Sequence, residues 1–364
     1  MFAQAIPSIL NTIQLALNNN YEDALLSLLE DLDNSVLSAC SYLNQNLRTI
    51  VELCLAIASN ADLSTSARSL AAHIIATMAT QNGGFFRKNV PYLNQYLQVA
   101  ATLISDIDDD AQWEQGVFGE EDELVENDTV PHVVGITMVA NIAEALRAVV
   151  YKPATQLMSQ CSRSDNWKVR RVTYVMLSHI AEGCKSQVEN DLKTLLNVML
   201  TGLNDPSPRV VYVALQAIAY VSVALEGVFQ KKCGVQVIQG ILGLVQRQPC
   251  LRVQAIAASC VGQFCAVELI SKKIFKNTLP ALVDWLFNLC SVSQATVQSE
   301  AITAIGFLCR AAKDDFAPFF HQIIHGLMGI LSSPVTPDVI NVHVAACTCL
   351  SSLVAAMGTA SNQT

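Results

Sequence analysis

His321 and His325 stand four residues apart, the spacing at which one helix face presents two imidazoles to a zinc ion. A zinc hydrolase of that pattern carries a glutamate between them as general base, but the intervening residues are Gln322, Ile323 and Ile324. No third ligand follows at a metal-site spacing, so the pair is expected to be two surface or interface histidines, with no metal and no cofactor. Nucleophile candidates fare no better. The 12 cysteines form no CxxC pair, and most, such as Cys260, Cys290, Cys309 and Cys347, fall among apolar residues, which predicts buried, reduced thiols. There is no Gly-rich phosphate loop and no nucleophile elbow. Catalysis is not expected of this chain.

Electrostatic attraction is. Asp106, Asp108, Asp109, Asp110, Glu114, Glu120, Glu121, Asp122, Glu123, Glu126 and Asp128 place 11 acids in one segment that has no Lys or Arg. The remaining 31 − 11 = 20 acids face 22 basic residues, so the whole formal charge of −9 arises here. A purely solvating acidic run lacks large apolar side chains, whereas this one contains Trp113, Val117, Phe118, Leu124 and Val125. That mixture predicts a loop that grips a basic partner. Glu182, Glu226 and Glu268 recur at steps of 44 and 42 near expected helix C-termini, where the dipole disfavours an acid. They read either as an acidic inner wall or as solvated surface. Glu300 interrupts an otherwise apolar helical frame and reads as a further acidic contact or as a residue exposed by drift of register. Lys231, Lys232, Lys272, Lys273 and Lys276 are expected to be solvated helix ends, because a net charge of −9 opposes direct binding to nucleic acid.

The elements that carry these residues follow from an internal repeat. Segments beginning at Val169, Val210, Val253, Val297 and Val339 are separated by 41, 43, 44 and 42 residues. Each places apolar residues at offsets 0, 3, 4, 7, 8 and 11, which is one face of a helix. The second reads Val210, Val213, Ala214, Ala217, Ile218, Val221, and the same frame appears upstream from Ala67 to Met78. A period of 40 to 47 belongs to helix pairs of the HEAT type, whose single pairs cannot bury their apolar faces and must stack. The expected fold is all-α, a right-handed HEAT-repeat superhelical solenoid of about eight helix pairs. One solenoid is expected over residues 1–364, with an acidic insertion at 106–129 between a helix over Val90–Ser105 and another over His132–Val149. Stacking also accounts for the 52% hydrophobic content. The most apolar stretch, Val210–Leu225, is interrupted by Tyr212, Gln216, Tyr220 and Ser222 and is too short for a membrane span. Met1–Asn11 has no basic region of a signal peptide. A reducing cytosolic or nuclear setting follows, in which the Asn127-Asp128-Thr129 sequon is a chance match.

Specific motifs sharpen the picture. Asp108-Asp109-Asp110-Ala111-Gln112-Trp113-Glu114 resembles the acidic, tryptophan-containing loop of the importin five branch of the importin-β family. Asn166-Trp167-Lys168-Val169-Arg170, Ile180-Ala181-Glu182-Gly183-Cys184, Asp205-Pro206-Ser207-Pro208-Arg209-Val210, Phe229-Gln230-Lys231-Lys232 and Arg252-Val253-Gln254-Ala255 follow in the same order. The resemblance implies a nuclear transport receptor that binds basic nuclear-import cargo proteins on its concave face and acidic loop. It also implies Phe-Gly nucleoporins on the outer face, GTP-bound Ran, and shuttling between cytoplasm and nucleus. Family members are much longer, and no counterpart of their amino-terminal repeats is found, which predicts an internal or shortened piece with weak Ran binding. The Asp and Arg ladder of such repeats is kept in Asp165 with Arg170, but in the next repeat Arg209 has moved ahead of Val210. The alternative from the repeat alone is a structural HEAT scaffold for a complex unrelated to transport.

Overall fold

The computed structural model describes residues 2–43, 45–109, 113, 130–267 and 271–361, all of them in helices, turns or irregular segments. They form two compact units, residues 2–108 with 130–187, and residues 109, 113, 188–267 and 271–361. The first holds four pairs: α1 (Phe2–Asn18) with α2 (Glu22–Leu43), α3 (Leu47–Ser59) with α4 (Thr65–Gln81), α5 (Val90–Ser105) with α6 (Pro131–Leu146), and α7 (Ala148–Cys161) with α8 (Trp167–Ile180). The second holds four more: α9 (Leu192–Gly202) with α10 (Pro208–Ala224), α11 (Val228–Val245) with α12 (Leu251–Cys265), α13 (Leu279–Leu289) with α14 (Ala295–Ala312), and α15 (Phe320–Leu331) with α16 (Ile340–Ser361). Eight pairs of HEAT type among the described residues match the repeat period.

The frame helices are the second of each pair, and within each unit they form the packed ridge. α4 packs on α2 and α6, and α6 on α8; in the second unit α12 packs on α10 and α14, and α14 on α16. In α10 all six frame residues are buried, Val210, Ala214, Ala217, Ile218 and Val221 completely. The frame holds less well at two starts. Val169 is only half-buried although it stands third in its helix, as the fully buried Val210, Val253 and Val297 do, and Val339 is half-buried in the 3-10 turn Pro337–Val339 ahead of α16. In α16 the frame also drifts: Cys347 is exposed and Cys349 and Leu353 are buried in its place. The expected buried thiol at Cys347 is therefore corrected. The eleven cysteines whose side chains are described are free, and burial pushes the Cys54 and Cys260 thiols up to about 12, far from the thiolate a nucleophile requires.

Two further expectations change. The helix expected over His132–Val149 ends at Leu146, because Arg147 takes a positive φ of 49° and starts α7 in a new direction. Among the described residues one helix, Pro337–Ala356, rather than Val210–Leu225, is long and apolar enough to span a bilayer, with a mean hydropathy of 1.8 over its best window. A core helix of a soluble protein meets the same test, and this one packs along α14 through the same seam as the other frame helices.

Polar side chains close the turns inside the pairs. A helix leaves its last four carbonyls without intrahelical donors. Arg68 donates to the Ala58 carbonyl at the end of α3, Arg170 to the Ser164 and Asp165 carbonyls after α7, Gln254 to Val245 and Gln248 after α11, and Gln298 to Cys290 after α13. All four stand one residue after the frame start. The ladder arginine Arg170 thus reaches the main chain of Asp165. In α10 that place is Val211, and the cation stands at Arg209 instead.

Candidate partner-binding site around Trp113

The acidic segment leaves α5 and returns at α6, two helices packed side by side in the first unit. The Arg171 guanidinium donates to the Ile104 carbonyl (3.1 Å) and fastens the last turn of α5. Beyond it Asp106 and Asp108 are exposed. His132 sits half-buried in the first turn of α6, where burial and then the nearby Arg171 charge hold its imidazole below the usual range, against the opposing pull of Asp106 and Asp108. A neutral His132 leaves those acids uncompensated by it at pH 7.

In the second unit Trp113 stands against the first turns of two frame helices. Arg209 is the second residue of α10 and Arg252 the second of α12, helices that pack together. Their guanidinium carbons lie over the Trp113 ring at 5.2 and 5.3 Å from its centroid. Tyr212, three residues after Arg209 and so on the same helix face, meets the indole edge-to-face at 5.6 Å. Arg209 and Arg252 are each only 6% exposed. A cation over an indole face contributes about 1–2 kcal/mol when partly desolvated. The three contacts together are enough to fix one residue of a segment whose sequence is otherwise acidic.

Arg209, Tyr212 and Arg252 were not among the residues the sequence nominated. A signal existed: the place just before the frame start is Lys168, Arg209 and Arg252 in three successive repeats, a cationic column that the apolar frame did not score. The displacement of Arg209 from the ladder position has its explanation here, since one residue after Val210 it would cap a turn, and one residue before Val210 it meets Trp113.

The other nominated residues are dispersed. Asp109 is exposed. Asp110, Glu114, Glu120, Glu121, Asp122, Glu123, Glu126 and Asp128, with Phe118, lie outside the described residues, as does Glu268. Glu182 is exposed in the turn after α8. Glu226 is exposed in the turn after α10, at the end opposite Arg209 and roughly 25 Å from it at 1.5 Å per residue. Glu300 is half-buried on α14 and hydrogen-bonds Ser259 of α12, and burial raises its carboxyl above the usual range. Its stability contribution is therefore present below the unfolded pKa and is lost as pH rises through the raised folded value. Glu300→Gln should stabilise the chain by on the order of 1 kcal/mol at pH 7 and by little near pH 4, measured as urea midpoints at both pH values. An equal effect at the two pH values would contradict a desolvated carboxyl. His321 and His325 are both exposed on α15, and no group of three His, Cys, Asp or Glu placed to hold a metal occurs among the described residues.

Comparison with known proteins places this arrangement in a family. The profile described as "IPO5-like, TPR repeats" matches residues 137–283, and the profile described as "Importin repeat" matches residues 60–148. Importin subunit beta-3 of Saccharomyces cerevisiae is 24% identical over 330 residues, covering 90% of this chain and 30% of that protein. Probable importin subunit beta-4 of Schizosaccharomyces pombe is 25% identical over 179 residues, 49% of this chain and 16% of that protein. The crystal structure of Kap121p bound to Pho4p superposes with a TM-score of 0.88 at 22% identity, over 96% of this chain and 34% of that one. The structure of Kap121p bound to Nup53p gives the same TM-score at 23% identity. The chain thus spans about a third of the length of importin subunit beta-3 and of Kap121p, and the superpositions show a common paired-helix fold. With two importin profiles running from residue 60 to residue 283 over helix pairs of that fold, the chain belongs to the importin-β family, on its importin five branch.

Proposed function

We propose that this chain is a non-enzymatic cargo-binding scaffold of a nuclear transport receptor, one solenoid over residues 1–364 whose acidic insertion at 106–129 attracts lysine- and arginine-rich segments. The observation that carries the proposal is the fixation of Trp113 on Arg209, Tyr212 and Arg252, which ties the most acidic part of the chain to its repeats. Glu182 and Glu226, and in sequence Glu268 and Glu300, extend the acidic character beyond the insertion. Kap121p, of the same fold, has been crystallised with Pho4p, Ste12p and Nup53p, which supports cargo proteins and nucleoporins as partner classes. For a Phe-Gly nucleoporin the second unit offers a cavity of about 510 Å³ lined by Phe287 of α13, Ile323, Leu327 and Ile330 of α15, and Val342 of α16. GTP-bound Ran and shuttling between cytoplasm and nucleus belong to the same proposal.

Replacing residues 106–129 by an uncharged Gly-Ser linker removes 11 acids and changes the formal charge from −9 to +2. The helix pairs should still stack, because each is stabilised by its neighbours. Affinity for a lysine-rich nuclear-import peptide should fall about tenfold at low salt, and the steep weakening of the intact chain between low and physiological salt should flatten, since surface charges are screened over about 8 Å at 0.15 M. Equal affinity of intact and deleted chains at low salt would remove the insertion from the binding function.

A further inference from the structure

The frame helices α12 and α14 each pack on two sides. Counted from the frame start, α12 places Ala258, Gly262 and Cys265 at offsets 5, 9 and 12, and α14 places Ile302, Gly306 and Cys309 at the same offsets. At 3.6 residues per turn these offsets lie on the side away from the frame. They receive the next frame helix: a Cβ on Gly262 would stand 3.4 Å from the Ala304 Cα of α14, and one on Gly306 would stand 3.3 Å from the Cys349 Cα of α16. All six residues are buried. In α16 the same offsets are Val344, Thr348 and Ser351, and all three are exposed, with Ile340, Cys347 and Val354 beside them. Ile340, Val344 and Val354 are 45%, 57% and 65% exposed. Over its whole length Ile340–Ser361 this helix has no Asp, Glu, Lys or Arg. A frame helix that meets water is built differently in the same chain, since α2 exposes Asp23, Glu30 and Asp31. A helix that is apolar on every side is a helix made to be covered on every side.

We propose that the exposed face of α16 is a docking surface for a second copy of this chain. The face continues an interface the fold already uses twice, α12 on α14 and α14 on α16, and its residues stand in the register of that interface. Its spacing is also self-complementary. Ile340, Val344, Cys347, Ser351 and Val354 follow steps of 4, 3, 4 and 3, the seam of two helices packed side by side. The stripe extends seven residues to either side of Cys347. Antiparallel pairing about a two-fold axis at Cys347 therefore lays Ile340 on Val354 of the second copy and each Cys347 beside the other. No charge on either helix opposes the approach. The face runs about 22 Å and is about 10 Å wide, so the two copies bury roughly 500 Å² in total, less than the about 1,200 Å² of a stable complex. The dimer is accordingly reversible and forms with rising concentration. It is independent of how the chain binds cargo.

Sedimentation velocity of the full chain, kept reduced, tests the pairing between about 5 and 200 µM, the range in which so small an interface associates. The mass should climb from one chain towards two. Val344→Asp/Val354→Asp should stay monomeric throughout, because four carboxylates would meet across the two-fold axis. Val223→Asp/Val235→Asp adds the same charge at exposed positions of α10 and α11 and should associate like the parent. Unchanged helicity by circular dichroism checks that each variant is folded. A second readout needs no folded aspartate variant: a short bismaleimide should join two parent chains through Cys347, and Cys347→Ser should abolish the joined species. A parent chain that stays monomeric, or an aspartate variant that associates as strongly as the parent, overturns the proposal. Growth beyond two chains also overturns it, since a two-fold contact closes on itself. So does a monomeric chain that binds phosphatidylcholine vesicles and loses them in Val344→Asp/Val354→Asp, which would make the face a lipid surface.

Discussion

Aspartate in place of Ile218 should disrupt the second unit from its centre. Ile218 is 0% exposed in the middle of α10, on the frame that packs against α12. An ionised carboxylate there has neither water nor a cationic partner built for it, so either the charge is buried at a cost of several kcal/mol or the helices separate to hydrate it. A loss of at least about 4 kcal/mol is expected, a large part of the 5–15 kcal/mol that holds a typical domain. In a repeat stack each pair is stabilised by its neighbours, so the effect should spread. Amide exchange should accelerate in α12 around Cys260 as well as in α10. Val223→Asp on the same helix, where the side chain is 61% exposed, should change stability by no more than about 0.5 kcal/mol. Unchanged protection around Cys260 in the Ile218 variant would mean that α10 and α12 do not share a seam.

A single methyl group at Gly135 should be nearly as disruptive, for a steric reason. Gly135 lies on α6 where that helix crosses α5, and a Cβ there would meet the Ala100 carbonyl oxygen at 2.7 Å and the Ile104 nitrogen at 2.8 Å. Both are backbone atoms, so no side-chain rotation relieves the clash and α5 must move away from α6. Overpacking of that kind costs about 2–3 kcal/mol. Gly84→Ala provides the contrast, since nothing lies within 4 Å of its added methyl in the short helix Gly83–Lys88. That substitution should be neutral or stabilising by up to about 1 kcal/mol, because alanine loses less backbone entropy in a helix. Urea unfolding of both variants separates the two outcomes, and a Gly135→Ala chain as stable as the parent would refute the close crossing. Because α5 and α6 hold the two ends of the acidic segment, the Gly135 variant should also weaken peptide binding, whereas the Gly84 variant should not.

The sequence by itself determined the helix pairs. Apolar spacing at 3.6 residues and turn signals such as Asn204-Asp205-Pro206-Ser207-Pro208 are local, and the recurrence at 41 to 44 residues repeats a local solution, so Val210, Val253 and Val297 were legible as core before any fold was known. The acidic insertion was legible for the same reason: charge is a property of composition, and the place between α5 and α6 follows from the helices on either side. At Cys347 the local pattern misled: its frame position is exposed in α16, while Cys349 and Leu353 are buried in its place. Glu300 was undecided in the sequence because a half-buried carboxylate and an exposed one occupy the same helical position, and only the α12–α14 seam with Ser259 separates them. The Trp113 site belongs wholly to the tertiary structure. Arg209 and Arg252 are 43 residues apart, and Trp113 precedes the nearer by 96. Their meeting depends on how α10 packs on α12, a distance and an angle set by the summed fit of many small side chains and written in none of the three residues themselves.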